Sequence, residues 1–406
     1  MVLTSMPFRG LRYAYPRLLL RMRCPSGACH ILEDLVMPDL SLKSTYEFDL
    51  PESQIATHPH EPRDEANLLF VDGEHREHRI FKDILDYLRP GDCIVVNDVK
   101  VQKARFFAKR PTGGIVEVLL TDDITAPRRK FSCLFKAGKL PPDEVLTAVN
   151  DDSVKIRLKR DENDRQALCE VEFLGEEPVV EILDRVGQLP LPPYIVKQRK
   201  AHGDALYENA DTEQYQTVYA NAGSAVAAPT AGLHFTDSLI AQIQSRGIAF
   251  EHLTLDVGTG TFRPIQTENL NEHKMHTEHY TISAQLAQKI AETRANGGRI
   301  VAVGTTVVRS LEDQFKRFGK VVAGSYETNI FIKPGHVFGL VDVMVTNFHL
   351  PGSTLIVLVS AFAGYEHTMA AYRDAIERGY KFYSYGDAMM LLKHDPQTGI
   401  TACNNQ

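Results

Sequence analysis

The pattern of apolar residues changes between Val101 and Gly175, and this change limits the possible folds most strongly. Within this stretch, short runs that alternate apolar and polar residues, such as GIVEVLL and SVKIRLK, are separated by Gly, Pro and Asp clusters. This spacing predicts a small antiparallel barrel or sandwich. On both sides of it, helical patterns alternate with continuous apolar strands, which are typical of α/β sheets. The sequence therefore predicts a large mixed α/β domain at residues 37–100 and 176–393, with a small antiparallel β-barrel domain inserted at 101–175.

The two ends of the chain differ from the rest. The first 36 residues contain five arginines and two acidic residues, a local charge of +3, whereas the whole chain of 406 residues carries −7. This leader has neither a continuous apolar segment nor the small-residue cleavage site of a signal peptide. We therefore expect residues 1–36 to be a basic, disordered extension that precedes a functional start at Met37. Residues 394–406 are expected to form a frayed tail.

The composition is that of a folded intracellular protein. Hydrophobic residues make up 43% and charged residues 24% of the chain, close to the globular average. The longest apolar run, Leu355–Gly364, is about half the length that a bilayer crossing needs. The six cysteines lack the spacing of a disulfide scaffold or of zinc knuckles. We expect a cytoplasmic monomer without a membrane segment.

Several turns rich in small or polar residues are candidates for ligand binding. Small residues let a ligand approach the backbone, helix N-termini favour anionic groups, and α/β sheets bind ligands at the carboxyl ends of their strands. Ordinary tight turns are the alternative interpretation, and Glu312 with Lys316 has the spacing of a surface ion pair. The candidate substrate-binding residues are Pro229, Thr230, Gly232, Phe235, Gly258, Gly260, Thr261, Gly304, Thr305, Thr306, Arg309, Asn347, His349 and Tyr385.

Histidines and carboxylates near these turns are candidates for acid–base chemistry. His273, His276 and His279 follow one another at intervals of three, which on a helix would align their imidazoles. Metal sites use such spacing, but usually with a carboxylate or cysteine converging on the same ion. We therefore favour proton transfer or hydrogen bonding over metal binding, with packed histidines as the alternative. The candidate catalytic residues are His234, His273, His276, Asp98 and Asp387.

A basic strip marks the start of the predicted inserted domain. Between Val99 and Val116 the chain has five cationic residues and no acidic one, with two phenylalanines among them. Cations interleaved with aromatic residues suit phosphate backbones and unstacked bases, although lysines also protect ordinary strand edges. The candidate RNA-binding residues are Lys100, Lys103, Arg105, Lys109 and Arg110.

Taken together, these segments resemble the S-adenosylmethionine:tRNA ribosyltransferase-isomerase family of queuosine biosynthesis. The resemblance runs from about Leu42 to Met390 and includes FDLPESQIATHP, PGDCIVVND, LPLPPYI, AAPTAGLHF, VGTGTF, EHKMHTEHY, GRIVAVGTTVVRSLE, TNFHLPGSTL and YSYGDAMM. Two single residues depart from the usual pattern: Asp256 stands where the family usually has histidine, and Val307 where it usually has serine. The segment VKVQKAR also replaces the usual TRVIPAR.

The resemblance implies a transferase that moves and isomerises the ribose part of S-adenosylmethionine. The acceptor would be 7-aminomethyl-7-deazaguanine at the wobble position of a tRNA, and the products epoxyqueuosine-tRNA, adenine and methionine. S-adenosylmethionine would be a co-substrate, and we expect neither a bound prosthetic group nor a metal. Such chemistry needs a general base and an acid for the departing adenine. We expect the loss of His234 to reduce turnover more than that of any other candidate.

Two other classes of function remain open on the residues alone. An RNA methyltransferase would use the same donor and release S-adenosylhomocysteine, but the sequence lacks the glycine-rich loop expected after its first strand. A non-catalytic tRNA-binding protein would need only the basic strip. Such a binding protein would not explain the polar turns between Ala227 and Asp387.

Overall fold

A computed structural model describes residues 38–136, 144–159, 169–256 and 265–394 of the chain. The predictions for the basic extension at 1–36, for the tail beyond His394, and for Gly258, Gly260 and Thr261 therefore lie outside the described residues.

The described residues form ten strands up to Leu174, and helices and strands are interspersed after it. The strands are β1 (Asn67–Asp72), β2 (His75–Ile80), β3 (Cys93–Asn97), β4 (Val99–Val101), β5 (Arg105–Lys109), β6 (Ile115–Leu120), β7 (Lys130–Lys136), β8 (Val145–Ala148), β9 (Asp151–Lys159), β10 (Cys169–Leu174), β11 (Ala222–Ala225), β12 (Ala249–Asp256), β13 (Glu278–Ile282), β14 (Ile300–Val303), β15 (Gly324–Thr328), β16 (Val343–Asn347) and β17 (Ala388–Leu392). The helices are α1 (Val179–Val186), α2 (Pro193–His202), α3 (Asp211–Gln214), α4 (Asp237–Ser245), α5 (Ala284–Ala295), α6 (Thr305–Phe318), α7 (Thr354–Ala363) and α8 (Tyr365–Glu377). Short 3-10 helices cover Lys43–Tyr46, Glu52–Gln54, Arg63–Glu65, Phe81–Asp86 and Thr230–His234.

A nine-stranded mixed sheet forms the centre of the molecule. Its strand order is β15-β13-β12-β3-β14-β16-β17-β1-β2, and β12, β3, β14 and β16 are parallel neighbours. Successive residues of β3 point to opposite faces: Cys93 and Val95 join one apolar core, and Ile94 and Val96 join another. Both faces are therefore covered, which explains the continuous apolar strands. The prediction of a mixed α/β fold is confirmed.

Six other strands, which lie between β4 and α1 in the sequence, pair in a closed antiparallel ring. Their order around the ring is β10-β7-β6-β5-β8-β9. Alternate side chains, such as those of Phe106 and Val118, fill its interior. The apolar face of α1, including Ile182 and Val186, packs into the same core, which therefore extends beyond Gly175.

The sequence predicts that Thr236 caps a helix and that another helix runs from about Ala284 to Ala295, and both predictions are confirmed. The Thr236 hydroxyl accepts a 3.2 Å hydrogen bond from the Leu239 amide and caps α4, and α5 has the predicted bounds. The sequence also predicts that LPLPPYI is an extended link, and this prediction is wrong for its last three residues. The extended link LPLPPYI ends at Pro192, because Pro193 suits the first position of α2. The three spaced histidines do not share a helix, since the chain is irregular up to Thr277 and then enters β13.

No single helix among the described residues is long and apolar enough to cross a membrane. The helices α7 and α8 reach the required length and composition only together, and they meet at a bend of 116°.

Candidate functional site

A cleft of about 370 Å³ opens where the parallel strands end. The chain leaves β14 through Gly304 and Thr305, and leaves β16 through Phe348 and His349, so both connections meet at the carboxyl edge of the sheet. Ligands of open α/β sheets bind at this edge, and the volume is that of a small-molecule site. The residues around the cleft are Pro193, Tyr194, Tyr215, Ala227–Ala231, Gly304–Thr306, Thr346–Leu355, Tyr383 and Ser384.

The N-terminus of α6 forms one wall of this cleft. Gly304 precedes the helix with φ of 92°, a backbone conformation that favours glycine, and no side chain caps the helix. By contrast, Thr236, Ser283 and Ser353 cap α4, α5 and α7 with their hydroxyl groups. The first amide groups of α6 are therefore not bonded to a capping side chain and lie beside the cleft.

A chain of polar side chains runs from the cleft into the protein. The Thr230 hydroxyl donates to Asn347 Oδ1 over 2.8 Å, and Asn347 Nδ2 lies 3.2 Å from Nε2 of His234. Because the amide nitrogen is a donor, the His234 Nε2 atom accepts and its Nδ1 carries the proton. Burial lowers the pKa of His234 to about 4. His234 is therefore neutral and contacts the cleft only through Asn347.

His349 lies in the cleft itself. Its Nε2 atom is 2.9 Å from the Thr346 hydroxyl, and its backbone amide donates to the Tyr372 hydroxyl over 2.9 Å. Desolvation lowers the pKa of the imidazole to about 3, so it is unprotonated at neutral pH. None of the described residues that line the cleft is Asp, Glu, Lys or Arg. The described cleft surface is therefore uncharged.

The structure brings together seven of the predicted substrate-binding residues and separates four others from them. Those in the cleft are Pro229, Thr230, Gly304, Thr305, Thr306, Asn347 and His349. Phe235 packs in the core against Phe81, and Tyr385 packs against Tyr215. Gly232 lies so close to Tyr219 that a side chain there would collide with its hydroxyl.

Arg309 and Glu312 of α6 are both buried. The guanidinium of Arg309 forms a 2.6 Å ion pair with Glu278 and does not line the cleft. The Glu312 carboxylate accepts hydrogen bonds from the backbone amides of Gly339, Leu340 and Val341. The interpretation of Glu312 as half of a surface pair was therefore wrong, because α6 turns this residue towards the loop before β16.

The other predicted catalytic residues lie away from the cleft. Asp98 accepts a 2.7 Å hydrogen bond from Thr254, His273 packs against Phe331, and His276 is exposed. Asp387 is fully buried and accepts from the backbone amides of Asn67 and Lys381, over 2.8 and 2.7 Å, and from His60 and the Asn67 side chain. Burial raises the pKa of Asp387, but these hydrogen bonds outweigh it and hold the pKa below its ordinary value. Its contacts identify Asp387 as a brace between β1 and β17.

The basic strip is only partly a surface feature. Arg105 is buried, donates to the Leu191 carbonyl and forms an ion pair with Glu117. Arg110 pairs with Glu144, and the Lys103 ammonium donates to the carbonyl of Asp184. Lys100 and Lys109 are exposed.

Sequence reasoning missed the aromatic side of the cleft, which includes Tyr194, Tyr215 and Tyr383. Tyr194 belongs to the quoted motif LPLPPYI, which was interpreted only as an extended link. Tyr383 belongs to YSYGDAMM, in which Tyr385 was selected as the candidate ligand-binding residue. Spacing within each motif carried no information about which tyrosine faces the cleft. Their recurrence among the quoted motifs was the one available signal.

Comparison with known proteins assigns the chain to a family. The sequence model of the queuosine biosynthesis protein family matches residues 43–391. The chain belongs to this family. A relative from Pelobacter propionicus named S-adenosylmethionine:tRNA ribosyltransferase-isomerase is 45% identical over 86% of this chain and 99% of its own length. Another of the same name from Cupriavidus metallidurans is 44% identical over 87% and 98%.

A solved structure of the same family is also similar. The S-adenosylmethionine tRNA ribosyltransferase from Thermotoga maritima is 32% identical, matches 86% of this chain and 100% of its own, and gives a TM-score of 0.47. The two curated relatives, at 44–45% identity over most of the chain, together with the family model show that the chain is a transferase of the queuosine biosynthesis family. Among its described residues, no group of three or more His, Cys, Asp or Glu side chains is placed to hold a metal ion.

The two single residues that depart from the usual family pattern lie outside the cleft of this queuosine biosynthesis protein. Val307 is fully buried in the core beneath α6, where a valine adds apolar contacts. The Asp256 carboxylate accepts a 3.2 Å hydrogen bond from the Ser224 amide, and burial raises its pKa. Neither substitution changes a described cleft-lining side chain.

Proposed function

We propose that this chain transfers and isomerises the ribose part of S-adenosylmethionine onto 7-aminomethyl-7-deazaguanine at the wobble position of a tRNA. Epoxyqueuosine-tRNA, adenine and methionine would be the products. The observation that carries this proposal is the uncharged, partly aromatic cleft at the carboxyl edge of the sheet. The names of the curated relatives give the reaction its class.

The cleft suits a ligand that carries a sulfonium cation. Its described lining has no cationic side chain to repel the sulfonium, and desolvation keeps His349 neutral. At the other charged end of the ligand, the methionine carboxylate would bind the uncapped amides of α6 beside Thr305 and Thr306.

We assign His349 as the proton acceptor of the reaction. It provides the one imidazole among the described cleft-lining residues, and none of these residues has a carboxylate. A proton on the carbon next to a sulfonium is acidified by the positive sulfur, which lowers the barrier to its removal by a neutral imidazole. Thr346 would orient the ring through Nε2, which leaves Nδ1 for the substrate. His234 would act as a positioning residue through Asn347.

The tRNA would bind along the exposed part of the basic strip. Lys100 and Lys109 are free to reach phosphates, whereas Arg105 serves the fold. β4 pairs with β11, and β11 leads directly into the Ala227–Ala231 wall of the cleft. RNA held on this strip would thus lie next to the cleft, into which the target base must be extruded for reaction. We propose that residues 101–175 work as an inserted β-barrel domain and that the protein acts in the cytoplasm, where tRNA is modified.

The reaction is tested by following every product. The full chain is mixed with S-adenosylmethionine and a tRNA that carries 7-aminomethyl-7-deazaguanine, and adenine, methionine and the modified nucleoside are quantified. We expect all three in equal amounts, and none with a tRNA that has guanine at the same position. Release of S-adenosylhomocysteine would identify a methyltransferase instead. Tight tRNA binding without any of these products would identify a non-catalytic binding protein.

A further inference from the structure

One residue at the cleft has an unusual backbone conformation. Tyr383 has φ of 74°, and it is the one non-glycine residue with positive φ among those that the structure describes. This left-handed region is disfavoured for bulky side chains and has an energetic cost. Such a cost persists only where the surrounding contacts enforce the conformation.

The contacts of Tyr383 show how the conformation is enforced. Its backbone amide donates to the Phe348 carbonyl and its carbonyl accepts from the Gly386 amide, both over 3.0 Å. Its ring stacks on Tyr194 of α2, with 4.5 Å between the ring centroids and 28° between the planes. The hydroxyl of Tyr194 in turn bonds to the Ser384 side chain and accepts from the Ser384 amide. The strained residue is thus held as half of a stacked aromatic pair.

This pair lies at the mouth of the cleft. The inner walls, including Ala228 and Asn347, are buried, whereas Tyr194 and Tyr383 are both half-buried. The pair is therefore accessible to a flat group that enters from solvent.

The same pair lies next to the proposed RNA-binding face. Arg105 of β5 donates to the Leu191 carbonyl over 2.9 Å, and α2 with Tyr194 begins two residues later. On α2, Lys200 is exposed, and Lys197 forms only an exposed ion pair with Glu52 at 3.6 Å. Such a pair is weak enough to be exchanged for a phosphate. Tyr194 thus shares α2 with two exposed lysines and follows directly after a segment that is bonded to the basic strip.

We propose that Tyr194 and Tyr383 form the stacking platform that receives the extruded base of the tRNA. Extruded RNA bases commonly stack on aromatic side chains, and adding a third ring to an existing stack places the base at the entrance of the cleft. The strained backbone of Tyr383 sets the direction of the platform before RNA binds, so less order has to be gained on binding. This inference rests on the proposed function and identifies the part of the site that recognises the acceptor base.

The test compares three substitutions of Tyr383 in the full chain. Tyr383→Leu keeps apolar volume but removes the ring, Tyr383→Gly removes the ring and the strain, and Tyr383→Phe keeps the ring. The matched control is Phe318→Leu, because Phe318 is an exposed aromatic at the opposite end of α6 from the cleft. Binding is measured for an anticodon stem-loop that carries 7-aminomethyl-7-deazaguanine, and separately for S-adenosylmethionine without RNA.

We expect the Leu and Gly variants to bind the stem-loop roughly 5- to 150-fold more weakly, the range for loss of one base–aromatic stack. The Phe variant should keep most of the wild-type affinity for the stem-loop, because it keeps the ring. The affinity for S-adenosylmethionine should change less than about 3-fold in all three variants. The Gly variant should melt no lower than the Leu variant, because glycine adopts positive φ without strain. A merely structural role would instead lower the melting temperature together with both affinities.

Three results would overturn the platform. The first is an unchanged affinity of the Leu variant for the stem-loop, and the second is a Gly variant that binds the stem-loop as well as the wild type does. The third is a loss of affinity for S-adenosylmethionine instead of the stem-loop, which would make the pair an adenine site. Failure of the wild-type protein to consume S-adenosylmethionine would refute the proposed function separately, since the binding comparison does not depend on turnover.

Discussion

Replacing Glu312 by glutamine is expected to destabilise the fold by about 3 kcal/mol. The carboxylate is 1% exposed, and its Oε1 atom accepts from the amides of Leu340 and Val341 over 3.0 and 2.9 Å. Its Oε2 atom accepts from the Gly339 amide over 2.9 Å. These three bonds fix the middle of α6 to the loop before β16, and the first residues of α6 line the cleft.

The magnitude follows from the shape of the glutamine amide. Its single oxygen can keep the two bonds to Leu340 and Val341, which turns the NH₂ group towards the amide of Gly339. Two donors then face each other, and one buried N–H left without an acceptor costs about 1–3 kcal/mol. The two surviving bonds lose their charge assistance, which contributes on the order of 0.5–1 kcal/mol each.

The effect should also depend on pH. Burial raises the pKa of Glu312, but His336 and the three backbone amides outweigh it and hold the pKa below its ordinary value. A carboxyl group with a lowered folded-state pKa stabilises the fold fully above its unfolded-state pKa of about 4.3. This contribution is lost as the pH falls through the folded-state pKa. The difference in stability between wild type and variant should therefore be largest at neutral pH and shrink in acid below about pH 4.

Urea unfolding followed by far-UV circular dichroism measures this difference, since the chain has no tryptophan to report by fluorescence. The matched control is Glu327→Gln, whose side chain is 64% exposed and faces an exposed histidine. We expect the control to change the free energy of unfolding by less than about 0.5 kcal/mol. A loss of unfolding free energy below about 1 kcal/mol for Glu312→Gln would refute the argument that an amide cannot replace all three bonds of the carboxylate.

Four further variants test the site and its support. Lys100→Gln combined with Lys109→Gln should weaken tRNA binding and reduce its salt dependence by about two counterions, and an unchanged salt slope would place the RNA elsewhere. His349→Ala should lower turnover at least about 100-fold with binding of S-adenosylmethionine retained, and His234→Ala should lower it less. A larger loss for His234→Ala in the same product assay would instead support the prediction from sequence. Asp387→Asn should lower the free energy of unfolding by about 3 kcal/mol at pH 7. This loss should become smaller as the pH falls through the lowered folded-state pKa of Asp387. Urea titrations that give the same loss at pH 7 and in acid would contradict this.

Local patterns in the sequence determined the elements and their faces. The run CIVVN predicts a doubly covered strand, and the structure divides its residues between two cores. Thr236 caps α4 as predicted, because capping depends only on residues one turn apart. The order of the motifs also identified the family, since these motifs are sequence-local and appear in register from Leu42 to Met390.

The tertiary structure decided which polar residues line the cleft. Asp387, a predicted catalytic residue, lies away from the cleft, because the pairing of β1 with β17 brings it against Asn67, 320 residues away. His349 rather than His234 lies in the cleft because the turn after β16 places one imidazole inside it, whereas the other is behind Asn347. Tyr383 faces the cleft through a disfavoured φ that no local propensity predicts. Periodicity sets which side of an element a residue occupies, but the contents of a cleft depend on which distant elements become neighbours, and that is settled only when the whole sheet has paired.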